Sequence, residues 1–146
     1  MEQIRFDSGM KKYRINGCGV LEFNPSDPNV FARFLQATEK IRNIETELTR
    51  QASAIQPESA GEEMLRLMAE ADSKMKALLG EIFGGHNDFH GILQGVNLLA
   101  VAENGQRVVT NLFSALEPIL VEGAKACTGQ AKAQAVAKAQ ARRSKQ

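Results

Sequence analysis

The chain has 146 residues, enough for one domain with a real core and too few for two. Apolar residues make up 43%, but aromatics only 5% and Trp is absent, so flat anchors for stacking on bases or sugars are scarce. The net charge of +1 hides an asymmetry. Residues 125–146 hold Lys125, Lys132, Lys138, Arg142, Arg143 and Lys145 with no acid, and the rest of the chain carries 12 basic and 17 acidic residues, a balance of −5.

No apolar run approaches the roughly 20 residues that cross a bilayer, and the opening MEQIRFDSGMKK lacks the basic-then-apolar order of a secretory leader. Cys18 and Cys127 are the only cysteines. They indicate neither a disulfide framework nor a zinc motif, and two reduced thiols in a cytosolic protein are expected, with a single disulfide as the alternative.

In chain order, KKYRINGCGVLEF (11–23) reads as a β-hairpin, because Asn16-Gly17 tolerates positive φ at both centres of a tight turn. A lone hairpin is rarely stable, so IRF at 4–6 is expected to add a third strand and helices to cover the sheet. FNPSDPNVF then signals a helix start, with Ser26 or Asp27 as cap and Pro28 at the first position. From there Val30, Phe34, Ala37, Ile41, Ile44, Leu48 and Ile55 recur in steps of four and three, apart from a polar Gln51. That spacing predicts one buried stripe on a helix over 28–54, ended by Pro57.

A second helix over 60–83 is predicted from Ser59 and Glu62, spaced as a reciprocal capping box, and from the stripe Met64, Met68, Ala71, Met75, Leu78 and Ile82. Two such helices joined by a short link are expected to fold back on each other, although the same stripes would also serve pairing between subunits in a homo-oligomer. Asn104-Gly105 between apolar runs predicts a small hairpin at 98–109, with a helix broken at Gly105 as the alternative. Thr110 caps a last helix, 110–127, kinked at Pro118. The residues beyond, 128–146, form a basic tail that has no apolar stripe to bury and is expected to be flexible. The fold class is α+β: a single domain over 1–127, mainly α-helical, with a small antiparallel N-terminal sheet.

The candidate chemistry concentrates in EIFGGHNDFHGILQG (81–95). His86 and His90 have the i, i+4 spacing of helix-borne metal ligands, and Asp88 lies between them. However, Asn87 stands where a zincin would carry Glu, and Gly84, Gly85 and Gly91 surround the pair. A solvated turn is the favoured reading: Gly84 and Gly85 end the helix through positive φ, while Phe83, Phe89, Ile92 and Leu93 pin the loop to the core. The glycines match neither a phosphate loop nor a dinucleotide fingerprint. There is no G-x-S-x-G, and Cys18 has no placed His partner. The pair Glu62-Glu63 complements a helix dipole. Met64, Met68 and Met75 could line an adaptable binding groove, but core packing is the commoner use of such a row. The tail's six cations would attract phosphate, yet it has no aromatics to stack on bases, which makes nucleic acid a minor reading.

The order of features resembles a family. A hairpin ending in Phe-Asn-Pro-Ser-Asp-Pro (23–28) leads to a helix with Ala32, Arg33, Phe34 and Ile41, a second helix ends in Glu81-Ile82-Phe83-Gly84, and ILQGVN (92–97) precedes the last helix. Over about residues 12–122 this resembles the tail assembly chaperone-like proteins encoded in the tail modules of siphophages and prophages of Gram-positive bacteria. Two features depart from that pattern: the second glycine step reads Leu93-Gln94-Gly95 without an aromatic, and the Ala/Lys/Gln tail is extra.

The resemblance implies a non-enzymatic protein of the host bacterial cytoplasm. It would bind the tape measure protein while the tail tube assembles, with the tail tube protein as a further partner, and would use no cofactor, metal or catalytic residue. Met64, Met68, Met75, Phe83 and Phe113 are the expected partner-binding residues. A structural virion component, such as a tail-tube or connector subunit, is the alternative.

Overall fold

Asn16-Gly17 makes the expected turn in the computed structural model, which describes residues 1–144. Strand β1 (Lys11–Ile15) pairs antiparallel with β2 (Gly19–Phe23), Lys11 opposite Phe23 and Ile15 opposite Gly19. Asn16 and Gly17 take φ of 50° and 78°, and the Cys18 N–H closes the turn on the Ile15 carbonyl at 3.1 Å.

The third strand expected at 4–6 does not form. Among the described residues the named sheet has two strands, and Ile4 and Phe6 are 91% and 81% exposed. The hairpin takes its support from helices instead, burying Leu21 and Phe23 in the shared core.

Helix α1 (Pro28–Ser53) opens as its cap residues dictate. The Asp27 carboxylate accepts the Asn29 N–H at 2.9 Å and Pro28 fills the first turn. The inward stripe is the expected one, with Val30, Phe34, Ala37, Ile41 and Leu48 buried and Ile44 and Ile55 half-buried. A 3₁₀ turn (Pro57–Ser59) runs directly into α2 (Ala60–Phe83). This continuity prevents the predicted capping box. Ser59 has φ −113° and ψ 11°, its hydroxyl donates backward to the Gln56 carbonyl at 3.4 Å, and it makes no side-chain cap.

The two helices form an antiparallel hairpin within the chain. Early α1 meets late α2, where the Arg33 Nε donates to the Ile82 carbonyl at 3.1 Å and Lys40 pairs with Glu81 at 3.9 Å. The buried face of α2 is Leu67, Ala71, Met75, Leu79, Ile82 and Phe83. Met64, Met68 and Leu78, expected inside, flank that face half-buried.

Gly84 ends α2 at φ 107°, while Gly85, expected to share that role, is not at positive φ. A single helical turn, α3 (Phe89–Ile92), follows. Gln94 and Gly95 close it at φ 56° and 73°, with Gly95 N–H bonding the His90 carbonyl and Gln94 N–H that of Gly91. That 6→1 and 5→2 pairing is a Schellman closure. Residues 98–109 make a hairpin-shaped turn with one bridge, Val101 to Arg107, and Gly105 at φ 81°, so the helix-break alternative is set aside.

Helix α4 (Val108–Ser144) departs from expectation at both ends. It starts ahead of Thr110 because Val108 and Val109 donate their N–H groups to the carbonyls of Ala100 and Leu98, at 2.9 and 2.8 Å, satisfying two donors that a cap would otherwise serve. It passes Pro118 and continues beyond 127, since Ala, Gln and Lys favour helix without any stripe to bury. Its side chains over 128–143 are exposed. The end of the predicted tail, Lys145 and Gln146, lies outside the described residues. Two contacts seat α4: its Phe113 meets Phe34 of α1 with ring centroids 5.3 Å apart, and its Gly123 lies so close to the main chain at Pro25, in the turn before α1, that a Cβ there would clash with the Pro25 carbonyl oxygen.

Candidate functional site

The residues of the glycine loop are drawn to different partners. The His86 Nε2 lies 3.0 Å from the Glu22 carbonyl, whereas His90 is exposed on α3 with its Nδ1 3.5 Å from the Lys76 ammonium. Asp88 is exposed at the head of α3 and makes no side-chain cap. Among the described residues no three His, Cys, Asp or Glu side chains converge to hold a metal ion. Cys18 is exposed at the hairpin tip, Cys127 is half-buried in α4, and both are free thiols.

The dominant residue of this loop is one that sequence reasoning treated as a mismatch. Asn87 is 7% exposed, and its carboxamide pairs with β2 as another strand would, accepting the Glu22 N–H at 2.9 Å and donating to the Glu22 carbonyl at 2.9 Å. It also donates to the Phe83 carbonyl at 3.0 Å, one of the orphan acceptors at the end of α2. Sheet and helix are thus fastened through one amide. Around it lies an aromatic chain: Tyr13 stacks on Phe23 at 5.2 Å, Phe23 meets Phe83 edge-on at 4.7 Å, and Phe83 meets Phe89 at 5.8 Å.

The five expected partner-binding residues divide. Met75 and Phe83 lie in the core, Met75 fully enclosed, so neither presents a surface in this conformation. Met64, Met68 and Phe113 are half-buried against the same core. Glu62 and Glu63 sit in the first turn of α2, with Glu63 2.7 Å from Arg66.

An apolar groove that the sequence did not announce runs between β1 and α4. Tyr13 and Ile15 form one wall, Val108, Leu112 and Ile119 the other, and Leu93 part of the floor. Its volume is about 430 Å³, and a second depression of about 470 Å³ continues it past Tyr13 and Ile119 to Pro25 and Gly123. Arg14 is the one charged side chain lining the first section. Such a trough suits an extended or helical apolar segment held by packing.

The far end of the α1–α2 hairpin is polar. There an Arg50 hydrogen bond holds the Glu47 carboxyl below the usual carboxylate range, and Glu63 raises the Arg66 guanidinium by the same means. These pairs lie at the surface, in contact with water, and are solvated charges.

Among the described residues no helix is long and apolar enough to cross a membrane. No family model, no curated protein and no solved structure matches this chain.

Proposed function

We propose that this chain is a non-enzymatic tail assembly chaperone of a phage or prophage, which covers apolar helical segments of the tape measure protein in the bacterial cytoplasm while the tail tube polymerises. The observation that best supports this reading is the open groove between β1 and α4, whose half-buried Tyr13, Ile15, Val108, Leu112 and Ile119 offer apolar area without a full cover. The order of motifs adds to it. Of the stretches that carry the resemblance, ILQGVN (92–97) gives Leu93 to the groove lining and Phe-Asn-Pro-Ser-Asp-Pro (23–28) gives Pro25 and Ser26 to the depression that continues it, while Phe83-Gly84 ends α2.

Co-expression with the large coiled-coil tape measure protein of the same tail module tests the reading. The two should co-purify, and the tape measure protein should be more soluble with this chain than without it. Failure of both overturns the proposal. Mass spectrometry of finished particles separates the chaperone from the alternative virion subunit, since a chaperone should be absent and a subunit abundant.

A further inference from the structure

Strand β1 has a free edge, and its chemistry is set by the hairpin register. Glu22 turns its N–H and C=O outward to Asn87, so the Lys12–Glu22 pair is a non-hydrogen-bonded one. By the same alternation Lys12 and Arg14 turn their main-chain groups away from β2 on the opposite side. Among the described residues no strand lies there. The outer edge of β2 is thus covered by a side-chain amide, whereas the edge of β1 is open beside the apolar groove. An uncovered edge of this kind is a template for one more strand.

The first ten residues have the complementary character. They form no secondary structure, and Ile4 and Phe6 alternate with Gln3, Arg5 and Asp7 in the period of a half-buried strand. Paired beside β1, such a strand would set Ile4 and Phe6 on the face of Tyr13 and Ile15, over the groove. Charge agrees as well: the arm holds Glu2 and Asp7 against Arg5, while β1 holds Lys11, Lys12 and Arg14 without an acid.

The arm does not reach this edge in its own chain. Its root is tied to the opposite side of the hairpin, where the Asn24 Nδ2 donates to the Ser8 carbonyl at 2.9 Å and the Asn24 side chain fills the space a Cβ of Gly9 would need.

We propose that two copies of this chain exchange N-terminal arms, each adding residues 3–7 as a strand to the free edge of the other's β1 and seating Ile4 and Phe6 in its groove. The exchange is reciprocal, giving a closed dimer with two identical contacts. It shares the groove with the functional reading above but does not need that reading's partner. The test below uses the chain alone, so either can fail without the other.

Sedimentation equilibrium on the full chain reads the outcome. The wild type should be a dimer. Ile4→Asp with Phe6→Asp removes the arm's apolar face, and Ala115→Glu places a charge at an exposed position of the groove without touching the core. Each variant should raise the dimer dissociation constant by roughly tenfold or more, with unchanged far-ultraviolet dichroism.

Mixing the two variants should give a heterodimer tighter than either variant's own dimer and weaker than the wild type, because one supplies an intact arm and the other an intact groove for one of the two contacts. A monomeric wild type, variants that dimerise as the wild type does, or a mixture that stays monomeric would each overturn the proposal.

Discussion

The carboxamide of Asn87 bonds both main-chain groups of Glu22, at 2.9 Å each, across 65 residues of chain. Asn87→Ala should leave the Glu22 N–H and C=O and the Phe83 carbonyl short of partners, costing about 1–3 kcal/mol. Urea denaturation would measure it. A loss under about 0.5 kcal/mol, the scale of an ordinary surface substitution, would show that water replaces the amide.

The aromatic chain beneath that amide is the larger store of stability. Phe83→Ala removes a ring in contact with both Phe23 and Phe89 and should cost about 3–5 kcal/mol. His86→Ala loses one hydrogen bond at an exposed ring and should cost about 0.5–1 kcal/mol. Thermal melts that rank the two in reverse order would contradict the packing described for this corner.

Two glycines of α4 should respond oppositely to the same change. At Gly123 a Cβ meets the Pro25 carbonyl oxygen, a backbone atom that cannot swing aside, so Gly123→Ala should destabilise by about 1–3 kcal/mol. At Gly129 a Cβ meets nothing within 4 Å, so Gly129→Ala should leave the fold intact and raise helicity, gaining up to about 1 kcal/mol of local helix stability. Circular dichroism during denaturation compares them directly.

Glu47 offers a pH test whose sign is fixed. Its carboxyl titrates below the ordinary range because Arg50 hydrogen-bonds the ionised form. A depressed folded-state value contributes stability that is present at neutral pH and lost as pH falls through that value. The melting difference between the wild type and Glu47→Gln should therefore be small at pH 7, where the pair is solvated, and should shrink as pH falls through the lowered value. A difference that grows on acidification would show that the pair does not stabilise the helix.

Period and cap chemistry made α1 legible almost residue by residue, since Asp27-Pro28 and the Val30-to-Leu48 stripe are local signals. Helix α2 was legible in extent but not in rotation. Its two candidate faces share Ala71, Met75 and Ile82, and only the packing of α1 and of Leu98 and Leu99 turns Leu67 and Leu79 inward in place of Met64 and Met68.

Asn87 was illegible because its partner is set by tertiary approach, and an Asn after His reads equally well as a turn residue. The groove escaped for a similar reason: its walls come from β1 and α4, which the sequence separates by about ninety residues. The basic end of α4 was misjudged because a helix of Ala, Gln and Lys is favoured by its backbone alone.

That unbroken α4 has an electrical consequence. The cations at Lys132, Lys138, Arg142 and Arg143 are carried outward on a rod whose exposed part, residues 128–143, is about 24 Å long, while the acids belong to the body at its base. With a net charge of only +1 the molecule is almost neutral as a whole and strongly dipolar in fact. Its two poles lie further apart than the roughly 8 Å over which physiological salt screens charge. Near its isoelectric point of about 7.8 it should therefore be retained by anion-exchange and cation-exchange resins alike, each gripping a different end.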